Sequence, residues 1–409
     1  MTVVGRKTGG KTIDSVDLLQ EYQEKELRRR SLLLGALGLG ASAALAGCGD
    51  NGNTGGGGGG GTSDAGSDAG VAQDVPPMRT QHLVGAGQND DHIMAAEAAL
   101  AETAGFSNIQ RGQRVYIKVN TNSGDPFPYS TSPELLRWVI GKVRDAGAEV
   151  FVGDRSFFGD RNTLSNFTRN GIREACEMTE TPLFVFGDRA ANDAASNVVD
   201  WMDLPATVEG MARPRSAFWD GTMRIPAMVA QADHIINMAV VKTHFIATFT
   251  MTMKNIIGII NPVDRSRTSN LGSHDGRVGG RLYPQVAYMN KALPTSTLNI
   301  LDGFQALISG GPTPGDRPSG IPAGWMPQTA EPKVVIVSAD RLAADLTGAA
   351  LLRTLSPSYE QITRGDSLWS NRQLQVAIEA GVGITDRAQY DLSGPTVTEI
   401  ARLREIATA

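Results

Sequence analysis

The densest grouping of reactive side chains in this 409-residue chain is Val241-Lys242-Thr243-His244, followed ten residues later by Lys254-Asn255. A lysine is a compact point charge, and an imidazole exchanges a proton near neutral pH. Two lysines, a histidine and an amide within fourteen residues suit a small anionic or carbonyl-bearing ligand. Lys242 and Lys254 would hold negative charge, and His244 would act as general acid or base. The competing reading of residues 241–244 is a solvated loop before a helix, with Thr243 as its cap.

Further polar residues stand where apolar runs end. Lys118 and Asn120 close the run Val115–Val119, Asp154 follows Val152-Gly153, Asp302 follows Leu301, and Asp340 lies two residues beyond Ser338. Ligands of open α/β sheets sit beyond the carboxyl ends of strands. The expectation is one cleft, with His244 and Lys242 as the catalytic pair and Lys118, Asn120, Asp154, Lys254, Asn255 and Asp302 binding the ligand. Asp154, Asp302, Asp340 and Asp345 offer oxygen ligands for a hard cation as an alternative, without calcium-loop spacing. His82, His92, His234, His244 and His274 form no HExxH and no close pair, so no zinc site is predicted. His274, in Gly272-Ser273-His274-Asp275-Gly276, belongs to a loop that could close over a ligand. There is no Gly-x-Ser-x-Gly elbow and no GxGxxG after a strand.

The elements that must carry these residues follow from hydrophobic periodicity and turn chemistry. Strands are predicted at His82–Gly85, Arg114–Val119, Glu149–Val152, Leu183–Phe186, His234–Ala239, Thr297–Leu301 and Lys333–Ser338. A helix is predicted over Asp90–Ala104, capped by Asn89 or Asp90. Thr131-Ser132-Pro133-Glu134 reads as a second helix start, with Thr131 as cap, running to Ala146 and stopping at Gly147. Further helices are expected near Arg341–Leu352, Gln373–Ala380 and Val397–Ile406, and Phe304–Gln328 reads as a long Gly/Pro-rich loop. Strands alternating with helices predict an α/β fold, a mainly parallel sheet flanked by helices, of the doubly wound type.

The N-terminal segment carries an address. Arg28-Arg29-Arg30-Ser31-Leu32-Leu33 resembles a twin-arginine export signal, and Leu45-Ala46-Gly47-Cys48 resembles a lipobox whose cysteine is acylated. The Leu32–Ala46 stretch falls short of the roughly 20 apolar residues that span a bilayer. Residues 1–47 are therefore expected to be removed. Residues 48–74, with seven consecutive glycines at Gly55–Gly61, form a flexible tether. The remaining 75–409 form the folded domain. The expected product is a lipoprotein held to a membrane through Cys48 and facing the periplasm or cell exterior. The general secretory route is the alternative to twin-arginine export.

Composition narrows the partners. Removing the leader's seven basic and five acidic residues takes the net charge from −5 to −7, which argues against nucleic-acid binding. With Cys48 assigned to lipid, Cys176 stands alone, so neither an intrachain disulfide nor a Cys-ligated iron–sulfur cluster is expected. Cys176 itself reads as a buried, inert thiol on a helix.

Several of these segments occur together in one family. Val115–Asn120, Thr131–Glu134, Asp145–Ala148 with Val152–Asp154, Asp233–Asn237 leading to Lys242-Thr243-His244, Met253–Gly258, Asp302-Gly303, Gly310–Gly315 and Glu379–Gly383 resemble the bacterial and archaeal domain of unknown function 362. The resemblance spans about Gln81 to Gly394. It implies the α/β fold and a site at these residues, but no assigned reaction. The chain departs from the family's usual Lys-Pro-Asn at Lys118-Val119-Asn120, which loosens that turn. It also lacks the cysteine-rich cluster segment of many members. Export after folding would permit cofactor loading in the cytoplasm, which motivates an oxidoreductase-like reading with the cofactor open. The rival expectation is a non-catalytic lipoprotein that binds a solute or an envelope component.

Overall fold

β10 (His234–His244) organises the sheet, and its apolar run is buried on both faces, as parallel strands covered by helices require. The computed structural model describes residues 81–156, 163–187, 197–214, 223–244, 247–264, 282–293, 297–314, 326–356 and 367–409. All of them belong to the unit Pro76–Ala409. The leader, Cys48, the tether and His274 lie outside the described residues.

In chain order the first half runs β1 (Val84–Gln88), α1 (His92–Leu100), β2 (Arg114–Lys118), α2 (Pro133–Asp145), β3 (Glu149–Asp154), α3 (Thr163–Arg169), α4 (Ile172–Met178) and β4 (Leu183–Gly187). Short strands β5 (Asn197–Val198), β6 (Trp201–Asp203), β7 (Thr207–Val208), β8 (Met211–Ala212) and β9 (Arg224–Pro226) follow, then α5 (Ala227–Ala230). After β10 come β11 (Thr248–Thr250), α6 (Thr252–Asn255), α7 (Leu282–Ala292), β12 (Leu298–Ser309), β13 (Gln328–Ala330) and β14 (Val334–Ser338). α8 (Arg341–Leu355), α9 (Arg372–Glu379), β15 (Leu392–Ser393) and α10 (Ile400–Thr408) close the chain.

The fold is α/β with a mainly parallel central sheet flanked by helices. Strand order is β15-β1-β14-β12-β10-β2-β3-β4-β5. Along this order β14 alone runs against its neighbours β1 and β12. On one face Ile117, Ile236, Met238 and Ile300 pack against Ala95 and Ala99 of α1 and Leu135 and Val139 of α2. On the other, Ala239, Val241, Leu301 and Ile336 pack against Leu346 and Ala350 of α8.

Local chemistry explains the helix ends. Ser132, not Thr131, caps α2: its hydroxyl accepts from Leu135 N, with Pro133 in the first turn. Thr131 is occupied elsewhere, as described below. Asp91, one residue past the predicted caps, caps α1 by accepting from Met94 N. α2 ends at Asp145, and Gly147 takes the left-handed conformation (φ 77°) that lets the chain turn into β3.

Two further expectations are corrected. Residues 241–244 are neither a loop nor a helix cap; β10 continues through them and turns back into β11, and the Thr243 hydroxyl donates to Gly310 O at 3.0 Å. The loop predicted from Phe304 begins only beyond Ser309, because β12 continues that far, and β13 pairs back onto it.

Candidate functional site

The last rung between β2 and β10 pairs Lys118 with Asn237, yet β10 runs on through His244. β10 thus projects past the end of β2, and Lys242 stands on that projection. On the other flank Val240 pairs with Asp302, but the next rung joins Lys242 to Leu307. β12 spends five residues where β10 spends two, so the ladder is interrupted beside Lys242. Side chains alternate along a strand. Lys242 and His244 therefore share the face of Ile236 and Met238, and Asp302 shares it through Leu298 and Ile300.

The chain beyond β2 folds back across this edge. Asn120 and Thr131 bond to each other through Thr131 N and Asn120 O (3.0 Å) and through Asn120 N and Thr131 Oγ1 (2.7 Å). The same hydroxyl donates to Met238 O of β10 at 3.0 Å. These bonds fix Asn120 beside Lys242.

A chain of amides then joins the two faces of the sheet. Lys242 Nζ donates to Asn120 Oδ1 and to Tyr129 O, each at 2.7 Å. Asn120 Nδ2 donates to Asn255 Oδ1 at 2.8 Å, and Asn255 Nδ2 donates to Asn237 Oδ1 at 2.8 Å. Asn237 Nδ2 donates to Thr252 O at 2.8 Å and to Asn299 Oδ1 at 3.3 Å. The side chains of this network are buried, as polar groups with satisfied partners can be.

Two lysines enter the network with different electrostatics. Lys118 Nζ lies 2.9 Å from Asp154 Oδ1 and donates to Asn255 Oδ1 at 3.3 Å. The other Asp154 oxygen accepts from Thr121 N at 3.0 Å. Over this pair passes the 3₁₀ turn Ile256–Ile259, so closely that a Cβ on Gly258 would sit 1.9 Å from Asp154 Oδ1. Lys242 is fully buried and has no carboxylate within ion-pair distance among the described residues. Burial, and then the charge of Lys118, push its ammonium down to about 7; Asp154 and Asp125 oppose this only in part. A buried amine at that value is half neutral at physiological pH, able to accept a proton or to hold an anion.

Lys118, Asn120, Asp154, Lys242 and Asn255 thus meet in one connected network. His244 is two residues along β10, and its Nδ1 accepts from Ala247 N at 3.2 Å. A neutral His244 therefore carries its proton on Nε2. Lys254 is half-buried on α6, next to Asn255. Asp302 belongs to a second cluster: its Oδ1 lies 3.0 Å from His92 Nε2, and the His92 ring stacks on Phe304 and Phe127 at 4.3 and 5.6 Å. Burial alone would lower the His92 pKa, but Asp302 and more distant Glu134 outweigh it, and the net shift is upward.

The remaining carboxylates do not join. β14 is antiparallel, so Asp340 emerges at the opposite edge of the sheet, where it caps α8 by accepting from Ala343 N. Asp345 accepts from Thr252 N at 2.7 Å, from Thr252 Oγ1 and from Met253 N, which holds the start of α6 and so the position of Asn255. Burial pushes Asp345 up to about 7 against these donors. Asp154, Asp302, Asp340 and Asp345 are thus committed to four separate sets of partners. Among the described residues no three His, Cys, Asp or Glu side chains converge as metal ligands. Cys176 is buried in α4, and burial pushes its thiol up to about 12.

Sequence reasoning missed Asn237, Asn299 and His92. Asn237 had a signal, an amide inside the otherwise apolar run Ile235–Val241. His92 had none, because its partner Asp302 lies 210 residues away.

Residues 115–350 match a family described as a domain of unknown function (DUF362). A thylakoid-associated protein of Synechocystis sp. is 26% identical over 228 residues, covering 55% of this chain. The matched part spans 62% of that relative's length. Among solved structures, the lactate racemase apoprotein from Thermoanaerobacterium thermosaccharolyticum is 15% identical, with a TM-score of 0.36, over 56% of this chain and 52% of the other.

Proposed function

The chain belongs to the domain of unknown function family DUF362, and from that premise we propose that the Lys242 edge binds a small anionic or carbonyl ligand and exchanges a proton with it. The observation that carries this is Lys242 itself: a fully buried amine held by two neutral oxygens instead of a carboxylate. Lys118 is neutralised by Asp154, so the network has one cationic group in excess whenever Lys242 is protonated. An anion would supply the missing charge. In its neutral form the Lys242 amine is the base of the site, and the Nε2–H of a neutral His244, on the same face of β10, is a hydrogen-bond donor.

The test is isothermal titration of the purified chain with acetate, inorganic phosphate and pyruvate, whose methyl protons lie alpha to a carbonyl and can be followed by deuterium exchange, at pH 6 and pH 8, for wild type and Lys242→Met. Saturable binding that disappears in the variant is the expected result. A folded wild type that takes up none of the three at either pH sinks the proposal. His244→Ala then separates the two classes of function. Loss of ligand proton exchange with retained binding marks an enzyme; weaker binding with no exchange in wild type marks a solute-binding protein.

The N-terminal motifs support a place for this chemistry. In this reading Cys48 is acylated after export and the domain hangs from a membrane surface by residues 49–74; the thylakoid association of the Synechocystis relative is compatible with a membrane-side location. Metabolic labelling with an alkynyl fatty acid, lost in Cys48→Ser, is the expected outcome. An unlabelled wild type would remove the anchor.

A further inference from the structure

Three threonine hydroxyls around this edge are engaged. Thr131 donates to Met238 O, Thr243 to Gly310 O and Thr252 to Asp345 Oδ1. Two others are not. Thr121 Oγ1 and Thr250 Oγ1 are buried without a hydrogen-bond partner, in residues only 2% and 6% exposed. A buried hydroxyl usually turns to some neighbouring carbonyl, and each one left unpaired is destabilising.

Their positions are specific. Thr250 stands directly opposite Lys242 in the β10–β11 ladder, so the two side chains rise on the same face, about 5 Å apart at Cβ. Thr121 follows Asn120, the residue that accepts from Lys242, and its backbone is tied to Asp154. One hydroxyl is therefore a cross-strand neighbour of Lys242 and the other lies one residue past its amide partner.

We propose that Thr250 and Thr121, together with Lys242, form the seat of a compact oxyanion, the carboxylate or phosphoryl group of a small molecule. This rests on Lys242 being the ligand-binding amine, and it names the group that binds there. Each oxygen of such an anion accepts several hydrogen bonds, and an ammonium with two hydroxyls supplies them. Lys118 is already neutralised by Asp154, which leaves Lys242 as the cationic donor of the seat. The two hydroxyls are left unpaired in the free protein because their partner is the ligand.

The experiment pairs ligand-free thermal melting with titration of acetate and of inorganic phosphate at pH 6, where Lys242 is protonated. It uses the full chain as wild type, Thr250→Val, Thr121→Val and Thr250→Ser. Valine keeps the shape of threonine and removes the hydroxyl. Both valine variants should melt at or above the wild-type temperature and bind the preferred anion about tenfold more weakly, the worth of one hydrogen bond to a charged group. Thr250→Ser should restore binding. Tighter acetate than phosphate binding assigns a carboxylate ligand, and the reverse assigns a phosphoryl group. Wild-type affinity in both valine variants overturns the inference and leaves the Lys242 reading standing. So does a melting temperature lowered by several degrees, since the hydroxyls would then have had protein partners. A wild type that binds neither anion overturns the Lys242 reading and this inference with it.

Discussion

Lys242 Nζ lies 2.7 Å from Asn120 Oδ1, so a buried ammonium meets a neutral amide where a structural ion pair would have placed a carboxylate. Lys118, at the end of the adjacent strand, has the carboxylate instead, in Asp154. The division of labour between the two lysines follows from this contrast.

Lys242 should leave a signature in stability against pH. Its folded pKa, about 7, lies below the 10.5 of a free lysine. Between those values the unfolded chain binds more protons than the folded one, so stability rises with pH across that window. Below about pH 7 both states are protonated and the full penalty is present. Scanning calorimetry from pH 6 to pH 10 should show this rise in wild type and not in Lys242→Met. Equal slopes in the two proteins would mean Lys242 titrates normally.

Asn120→Asp should convert the site into a salt bridge. The new carboxylate keeps the acceptor facing Lys242, favours its ammonium and raises its pKa. It also removes the donor to Asn255 Oδ1. Anion affinity should fall at least tenfold while the Lys242 Nζ resonance, followed by ¹⁵N NMR, titrates at a higher pH than in wild type. Unchanged affinity would show that charge imbalance does not govern binding.

Asp345 should matter to the site without touching it. Asp345→Ala strips the start of α6 of its cap and leaves Thr252 N and Met253 N unpaired, costing about 2 kcal/mol in denaturant titrations. The pH effect has the opposite sign to that of Lys242. A carboxyl raised from 3.8 to about 7 on folding makes the native state the better proton binder in that window, so its contribution falls as pH rises from about 4 to about 7. An Asp345→Ala protein with wild-type stability and an unaltered profile from pH 4 to 7 would contradict this.

Gly258→Ala forces a methyl group against the Lys118–Asp154 pair, 1.9 Å from Asp154 Oδ1 and 2.9 Å from Lys118 Nζ. Backbone or ion pair must give way, and overpacking of this kind costs about 1–3 kcal/mol. The loss should appear in the melting temperature. A silent substitution would show that the turn lies farther from the pair.

Asp302→Asn should lower the His92 pKa, since its carboxylate is the nearest of the charges holding the imidazole up. Histidine NMR titration reads this directly. An unmoved His92 would assign its shift to Glu134 instead.

The strands and helices were largely legible because hydrophobic periodicity and caps are local. Lys118, Asn120, Asp154, Lys242 and Asn255 could be picked out as polar groups at the ends of apolar runs. Strand direction was not legible: Val334–Ser338 is apolar throughout and reads the same either way, so Asp340 was assigned to the wrong edge. The length of β10 was hidden for a different reason. Lys, Thr and His are usually solvated, and only the partners at Asn120, Tyr129 and Gly310 make their burial tolerable. Thr131 shows local grammar overruled by tertiary bonding, since its hydroxyl serves Asn120 beyond β2 and Met238 of β10 while Ser132 takes the cap.

The projection of β10 beyond β2 has a consequence for how the site can breathe. Lys242 and His244 sit on the strand that also forms the middle of the sheet, bonded through Ile236–Lys242 to β12 and through His234–Asn237 to β2. The middle of that strand, Ile236–Val240, should exchange its amides with deuterium only through global unfolding, among the slowest in the protein. Any gate for a ligand must then be cut from the segments that pack against β10, while the strand that presents the chemistry remains a fixed sill.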